Sequence, residues 1–101
     1  MLEREIERKL TARIKALGGL CLKFESPGYT GVPDRLILLP GGRMAFVELK
    51  QSGKRERPRQ RIVQKRLREL GFRVYETVDS VEKINVIVEE CREVINGGAD
   101  L

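Results

Sequence analysis

A chain of 101 residues holds one small hydrophobic core and is too short for two, so a single domain over 1–101 is expected. At 41% hydrophobic and 35% charged residues it is not a disordered chain, and no apolar run approaches the roughly 18 residues that a membrane span needs. It contains no histidine, which excludes histidine acid–base catalysis and a histidine-ligated zinc, and its net charge of +5 favours an anionic partner.

The N-terminal run MLEREIERKL is charged and helical in pattern, unlike a secretory signal, so a cytoplasmic protein is expected. Leu2, Ile6, Leu10, Ile14 and Leu17 recur at helical spacing and predict an amphipathic helix over 2–17, stopped by Gly18-Gly19. Leu20–Glu25 alternates as a first strand, and the turn-rich loop Ser26–Val32 follows it. Glycines there allow close approach of a phosphate, so Lys23, Ser26 and Tyr29 are candidate DNA contacts, with Arg35 beyond them. Cys21 and Cys91 lie apart in apolar surroundings and read as reduced core thiols, a disulfide being the other option.

The segment 31–50 carries most of the chemical information. Leu36–Leu39 and Phe46–Leu49 predict two strands joined at Gly41-Gly42, the first of them buried on both faces. Asp34 opens the first strand. Glu48 and Lys50, two apart, point to one face of the second. Two carboxylates and an ammonium at the end of an apolar hairpin are costly unless they neutralise one another or hold a cation. The simplest arrangement is Asp34 and Glu48 around Mg2+ or Mn2+, with Lys50 beside the ion.

Between Gln51 and Leu70 stand eight cations, Lys54, Arg55, Arg57, Arg59, Arg61, Lys65, Arg66 and Arg68, against Glu56 and Glu69. That segment's net charge of +6 exceeds the +5 of the whole chain. Such a run is often a solvated helix face. Its position beside the Lys50 constellation points instead to a polyanion, with Lys54, Arg55, Arg57 and Arg59 as contacts. Gln51–Arg57 is expected as a loop, mobile without DNA. Pro58 starts a helix through Leu70, stopped by Gly71, with Gln60 in its first turn and Gln64 one turn on. Phe72–Val78 is a last strand. Asp79 reads as an N-cap with Glu82 completing a capping box, ahead of an acidic helix that carries Ile84, Ile87, Val88, Cys91, Val94 and Ile95 on one face and ends at Gly97-Gly98.

Pro33-Asp34 followed fourteen positions later by Glu48-Leu49-Lys50 resembles the PD-(D/E)XK nuclease signature. The wider series resembles the VRR-NUC, or virus-type replication-repair nuclease, domain. It comprises Gly19, Lys23, Ser26-Pro27-Gly28, Gly31–Arg35, Phe46–Lys50, Pro58-Arg59-Gln60 and Gly71, and it spans nearly the whole chain. The resemblance implies an α/β, restriction-endonuclease-like mixed sheet flanked by helices in the order α-β-β-β-α-β-α. It also implies a metal-dependent endodeoxyribonuclease that leaves a 5′-phosphate. The Leu49 carbonyl would join Asp34 and Glu48 on the metal, Glu7 (with Glu3 as second choice) would complete the site from the first helix, and Gln60 (or Gln64) would support it. No organic cofactor is implied. Free-standing members resemble homodimeric phage resolvases of four-way DNA junctions acting in a bacterial host. A monomeric flap or replication-fork nuclease is the alternative, and a nucleic-acid-binding module without activity is a third reading.

Overall fold

The computed structural model describes residues 1–98 and 101, and its element order is that implied by the resemblance. These elements are α1 (Glu3–Ala16), β1 (Leu20–Lys23), β2 (Arg35–Leu39), β3 (Arg43–Leu49), α2 (Pro58–Glu69), β4 (Arg73–Val78) and α3 (Val81–Ile95). Each helix stops where its glycine turns the chain. Gly18 and Gly19, Gly71 and Phe72, and Gly97 and Gly98 donate their N–H groups back to the last-turn carbonyls, closing Schellman motifs. The N-terminus of α3 lies one residue beyond the expected cap. Ser80, not Asp79, caps the helix by accepting from the Lys83 N–H, and Asp79 pairs with the Lys83 ammonium at 3.2 Å.

The four strands lie in sequence order, the first three antiparallel and β4 parallel to β3. A parallel return needs a crossover, and α2 supplies it. On one face of the sheet α1 and α3 bury Ile6, Leu10, Ile14, Ile84, Ile87 and Val94 against Cys21, Ile37, Ala45, Val47, Leu49 and Val78. Both cysteines are free thiols in this layer, and burial pushes the Cys91 thiol up to about 11. Among the described residues, α2 is the helix that covers the opposite face. Val63 and Gln64 of α2 are buried there, and Phe24, Phe46 and Phe72 form a chain of ring contacts across the strands.

That asymmetry corrects the expectation for Leu36–Leu39. In β2, Arg35, Ile37 and Leu39 are buried while Leu36 and Leu38 are only partly so, because α2 reaches across β4 and leaves β1 and β2 open. Their neighbours on the same face of β1, Leu20 and Leu22, are 54% and 43% exposed. In β4 an extra residue breaks the alternation. Val47 pairs with Tyr75 but Leu49 pairs with Val78, so both Tyr75 and Val78 reach the core and Glu76-Thr77 is extruded.

Candidate active site

The ends of β2 and β3 and the first turn of α2 meet at one edge of the half-covered face. Asp34, just ahead of β2, accepts a hydrogen bond through Oδ1 from the Leu49 N–H at 3.0 Å, which ties the two carboxylate-bearing segments together. Glu48 is 3% exposed, with Lys50 Nζ 3.6 Å from its carboxylate. Gln60 bridges them. Its Nε2 donates to Glu48 at 3.4 Å, and its Oε1 accepts from Lys50 Nζ at 3.3 Å and from the Arg57 N–H at 2.8 Å. One amide therefore positions acid and ammonium while also serving the first turn of α2.

The electrostatics of this cluster are those of a site short of positive charge. Burial and the negative charge of Asp34 push the Glu48 carboxyl up to about 7, against the pull of Lys50. Asp34 is raised as well, by burial first, with Glu3 adding to the push while the Leu49 N–H and Arg35 oppose it. Among the described residues no three acidic, histidine or cysteine side chains close into a ready cage. Two desolvated carboxylates next to an open polar cleft nevertheless fit a hard cation that keeps several waters, as Mg2+ does. The cleft, about 460 Å3, is lined by Glu3, Lys50, Gln51, Lys54, Arg55 and Arg57.

The first helix brings two glutamates toward this edge of the sheet. Glu7 is bound to Arg35, its carboxylate 2.9 Å from the guanidinium, and the same guanidinium lies 3.7 Å from the Asp34 carboxylate, so Arg35 links Glu7 to Asp34. Glu3, one turn earlier, lines the cleft and acts on Asp34. Arg35, read as a DNA contact, is buried and bonded to Glu7 and to the Asp34 carbonyl. It is a strut between α1 and the start of β2. Of the two glutamines Gln60 reaches the site, whereas Gln64 is fully buried with neither amide atom bonded. Lys23 and Ser26 stay near the loop, Lys23 paired with Glu25 at 3.2 Å.

The loop 26–32 rests on α2. Gly31 sits at φ +89°, and a Cβ there would lie 2.9 Å from Arg59 Cγ and 3.0 Å from the Arg59 carbonyl. Arg59 in turn lies over the Tyr29 ring at 5.0 Å and donates to the Thr30 carbonyl at 3.1 Å. Two predicted contacts thus form one stacked unit at the rim. The residue that sequence reasoning missed is Glu56. Counted as a lone acid in a cationic loop, it is 8% exposed and receives both the N–H and the hydroxyl of Thr77. Ser52 holds the same loop to the Asp79 carbonyl at 3.0 Å. The segment expected to be mobile is pinned at both ends.

No protein-family model matches the chain. It is 44% identical over 72 residues to "Putative nuclease p44" of Acyrthosiphon pisum secondary endosymbiont phage 1, covering 71% of this chain and 77% of that protein. It superimposes on a solved structure described as a VRR_NUC domain with a TM-score of 0.79 at 32% identity, over 86% of this chain and 94% of the other. With the fold, the ordered motif series and the length of both matches in agreement, the chain belongs to the VRR_NUC family of nucleases.

Proposed function

We propose that the protein is a metal-dependent endonuclease of branched DNA that acts on four-way junctions as a homodimer. The observation that carries the nuclease reading is the meeting of Asp34, Glu48, Lys50 and Gln60 at one edge of the sheet, beside a cleft rimmed by Lys54, Arg55 and Arg57. Asp34, Glu48 and the Leu49 carbonyl would hold Mg2+ or Mn2+, with Glu3 rather than Glu7 as the contribution of α1. The bound ion would lower the pKa of a coordinated water and offset the charge of the scissile phosphate. Lys50, oriented by Gln60, faces the space where water attacks. It orients that water, or takes its proton, and places positive charge where the transition state gathers negative charge. Lys54, Arg55, Arg57 and the Arg59–Tyr29 unit hold the backbone on either side.

Two observations favour a branched substrate and a dimer. A domain of this size has little surface for reading sequence, since specific protein–DNA contacts bury roughly 1,000 Å2 or more of protein. The apolar strip of Leu20, Leu22, Leu36 and Leu38 lies uncovered on the same side as α2, and a second copy would cover it. The test is cleavage of a labelled four-way junction in Mg2+ or Mn2+ beside a 5′ flap and a linear duplex, with Asp34→Asn and Lys50→Ala as controls. Paired symmetric nicks absent from both variants support the reading. Cutting of the flap alone replaces the substrate by a flap or fork, and binding without any cutting leaves only a nucleic-acid-binding module.

A further inference from the structure

Thr77 is the sole residue other than glycine with positive φ among the described residues, at +49°. A β-branched side chain is poorly suited to that conformation, so something must hold it. The holder is Glu56. One carboxylate oxygen accepts the Thr77 N–H and the other the Thr77 hydroxyl, while Lys83 donates to the Thr77 carbonyl at 2.7 Å. All three polar groups of the extruded residue are thereby occupied. The consequence lies one pairing further along. Because Thr77 is extruded, Val78 comes level with Leu49, and its carbonyl accepts the Lys50 N–H at 3.0 Å. In an unbulged register Thr77 would face the core and that bond to Lys50 would be lost. Glu56 also begins a short path to the centre on its own segment, since the next residue, Arg57, donates its N–H to the Gln60 oxygen that receives Lys50 Nζ.

We propose that Glu56 is a positioning residue of the nuclease centre, a clasp that holds the Thr77 bulge and the basic loop so that Lys50 keeps its backbone and side-chain placement. This rests on the nuclease reading above. Glu56 touches neither phosphate nor metal and acts through Thr77, Lys50 and Gln60.

The experiment compares wild type, Glu56→Ala, Glu56→Gln and Thr77→Gly. It measures single-turnover cleavage at saturating DNA, DNA affinity, melting temperature and amide hydrogen exchange at Lys50. Glu56→Ala should cleave about 10- to 100-fold more slowly, the scale set by small misplacements of a catalytic group. Its DNA affinity should change less than about threefold, and Lys50 exchange should accelerate. Glu56→Gln keeps the shape of the clasp and should recover most of the rate. Thr77→Gly relieves the strained φ but removes the hydroxyl arm, so it should cleave more slowly by more than any change in its melting temperature explains. This pairing separates positioning from plain stability. Wild-type cleavage rates and unchanged Lys50 exchange in folded Glu56→Ala would overturn the proposal. Should that variant not fold, a wild-type rate in Thr77→Gly overturns it as well. Wild-type protein that cuts no DNA would instead sink the nuclease reading, and exchange at Lys50 would then decide the clasp alone.

Discussion

On the α1–α3 side of the sheet, Ile6, Leu10, Ile14, Ile37, Val47 and Leu49 have no exposed surface. On the α2 side the strands carry half-open leucines and a glutamate in contact with the lysine just past β3, and α2 adds two glutamines, one of them with no bonded partner. Each fully buried aliphatic side chain contributes about 1.5–3 kcal/mol, so the closed face supplies most of the apolar burial that opposes chain entropy. The other face holds Glu48 and Asp34 with carboxyl groups raised by burial, a state that costs stability and that the closed face must offset. Core and chemistry are back to back at the end of β3, where Val47 and Leu49 face one way and Glu48, with Lys50 just past the strand, the other.

The comparison breaks most visibly at Lys50. Lys50→Ala should slow DNA cleavage by about 10²–10³-fold, as loss of a charge aimed at the transition state does, and leave the melting temperature nearly unchanged. A large fall in melting temperature would mean that the α2 face carries core stability after all. The converse substitution is Ile87→Ala on α3, where removing a buried aliphatic group should cost about 2–5 kcal/mol by denaturant unfolding. Cleavage by the folded fraction should remain. Leu22→Ala, on the open face, should cost under about 1 kcal/mol in dilute solution.

A smaller effect sharpens the role of the pinned loop. Burial pushes the Glu56 carboxyl up, but the Thr77 hydroxyl and N–H outweigh it and hold the group below the usual range. A folded-state pKa below the unfolded value stabilises above the unfolded pKa, about 4.3, and loses that contribution as pH falls through the folded value. The melting gap between wild type and Glu56→Gln should therefore be widest near neutral pH and close as the solution is acidified below about pH 4. A gap that stays constant with pH would mean that the charge of Glu56 contributes nothing to the clasp.

Helix periodicity, glycine stops and the turn at Gly41-Gly42 made every element legible, because each rests on residues close in sequence. So did the pairing of Glu48 with Lys50, which needs only the two-residue repeat of a strand. What escaped depends on packing between distant segments. Arg35 turns inward, takes Glu7 and lies 3.7 Å from the Asp34 carboxylate, while Glu3 acts on Asp34 from one turn earlier, and a 3.6-residue repeat places both acids near the same stripe. Glu56 looked like one acid among cations because its partner, Thr77, lies 21 residues away across a bulge that no alternation pattern announces. The apolar run Leu36–Leu39 signalled burial on both faces, yet a single chain covers one of them.

That last discrepancy bears on assembly. A run of leucines on an edge-proximal face is a liability for a monomer unless something covers it, and the sequence pattern behaves as though something does. A second copy of the chain would have to hide roughly 800 Å2 per partner to form a stable pair. Leu22→Asp places a charge at the centre of the strip, at a position exposed enough that the fold itself should lose under about 0.5 kcal/mol. Sedimentation should then show wild type at twice the 11.5 kDa chain mass and the variant at the single-chain mass, with junction cutting reduced to unpaired nicks. Wild type that already sediments as one chain would break the link between the open face and a dimer, and would shift the substrate from a two-fold junction to a flap or fork that a single site can cut.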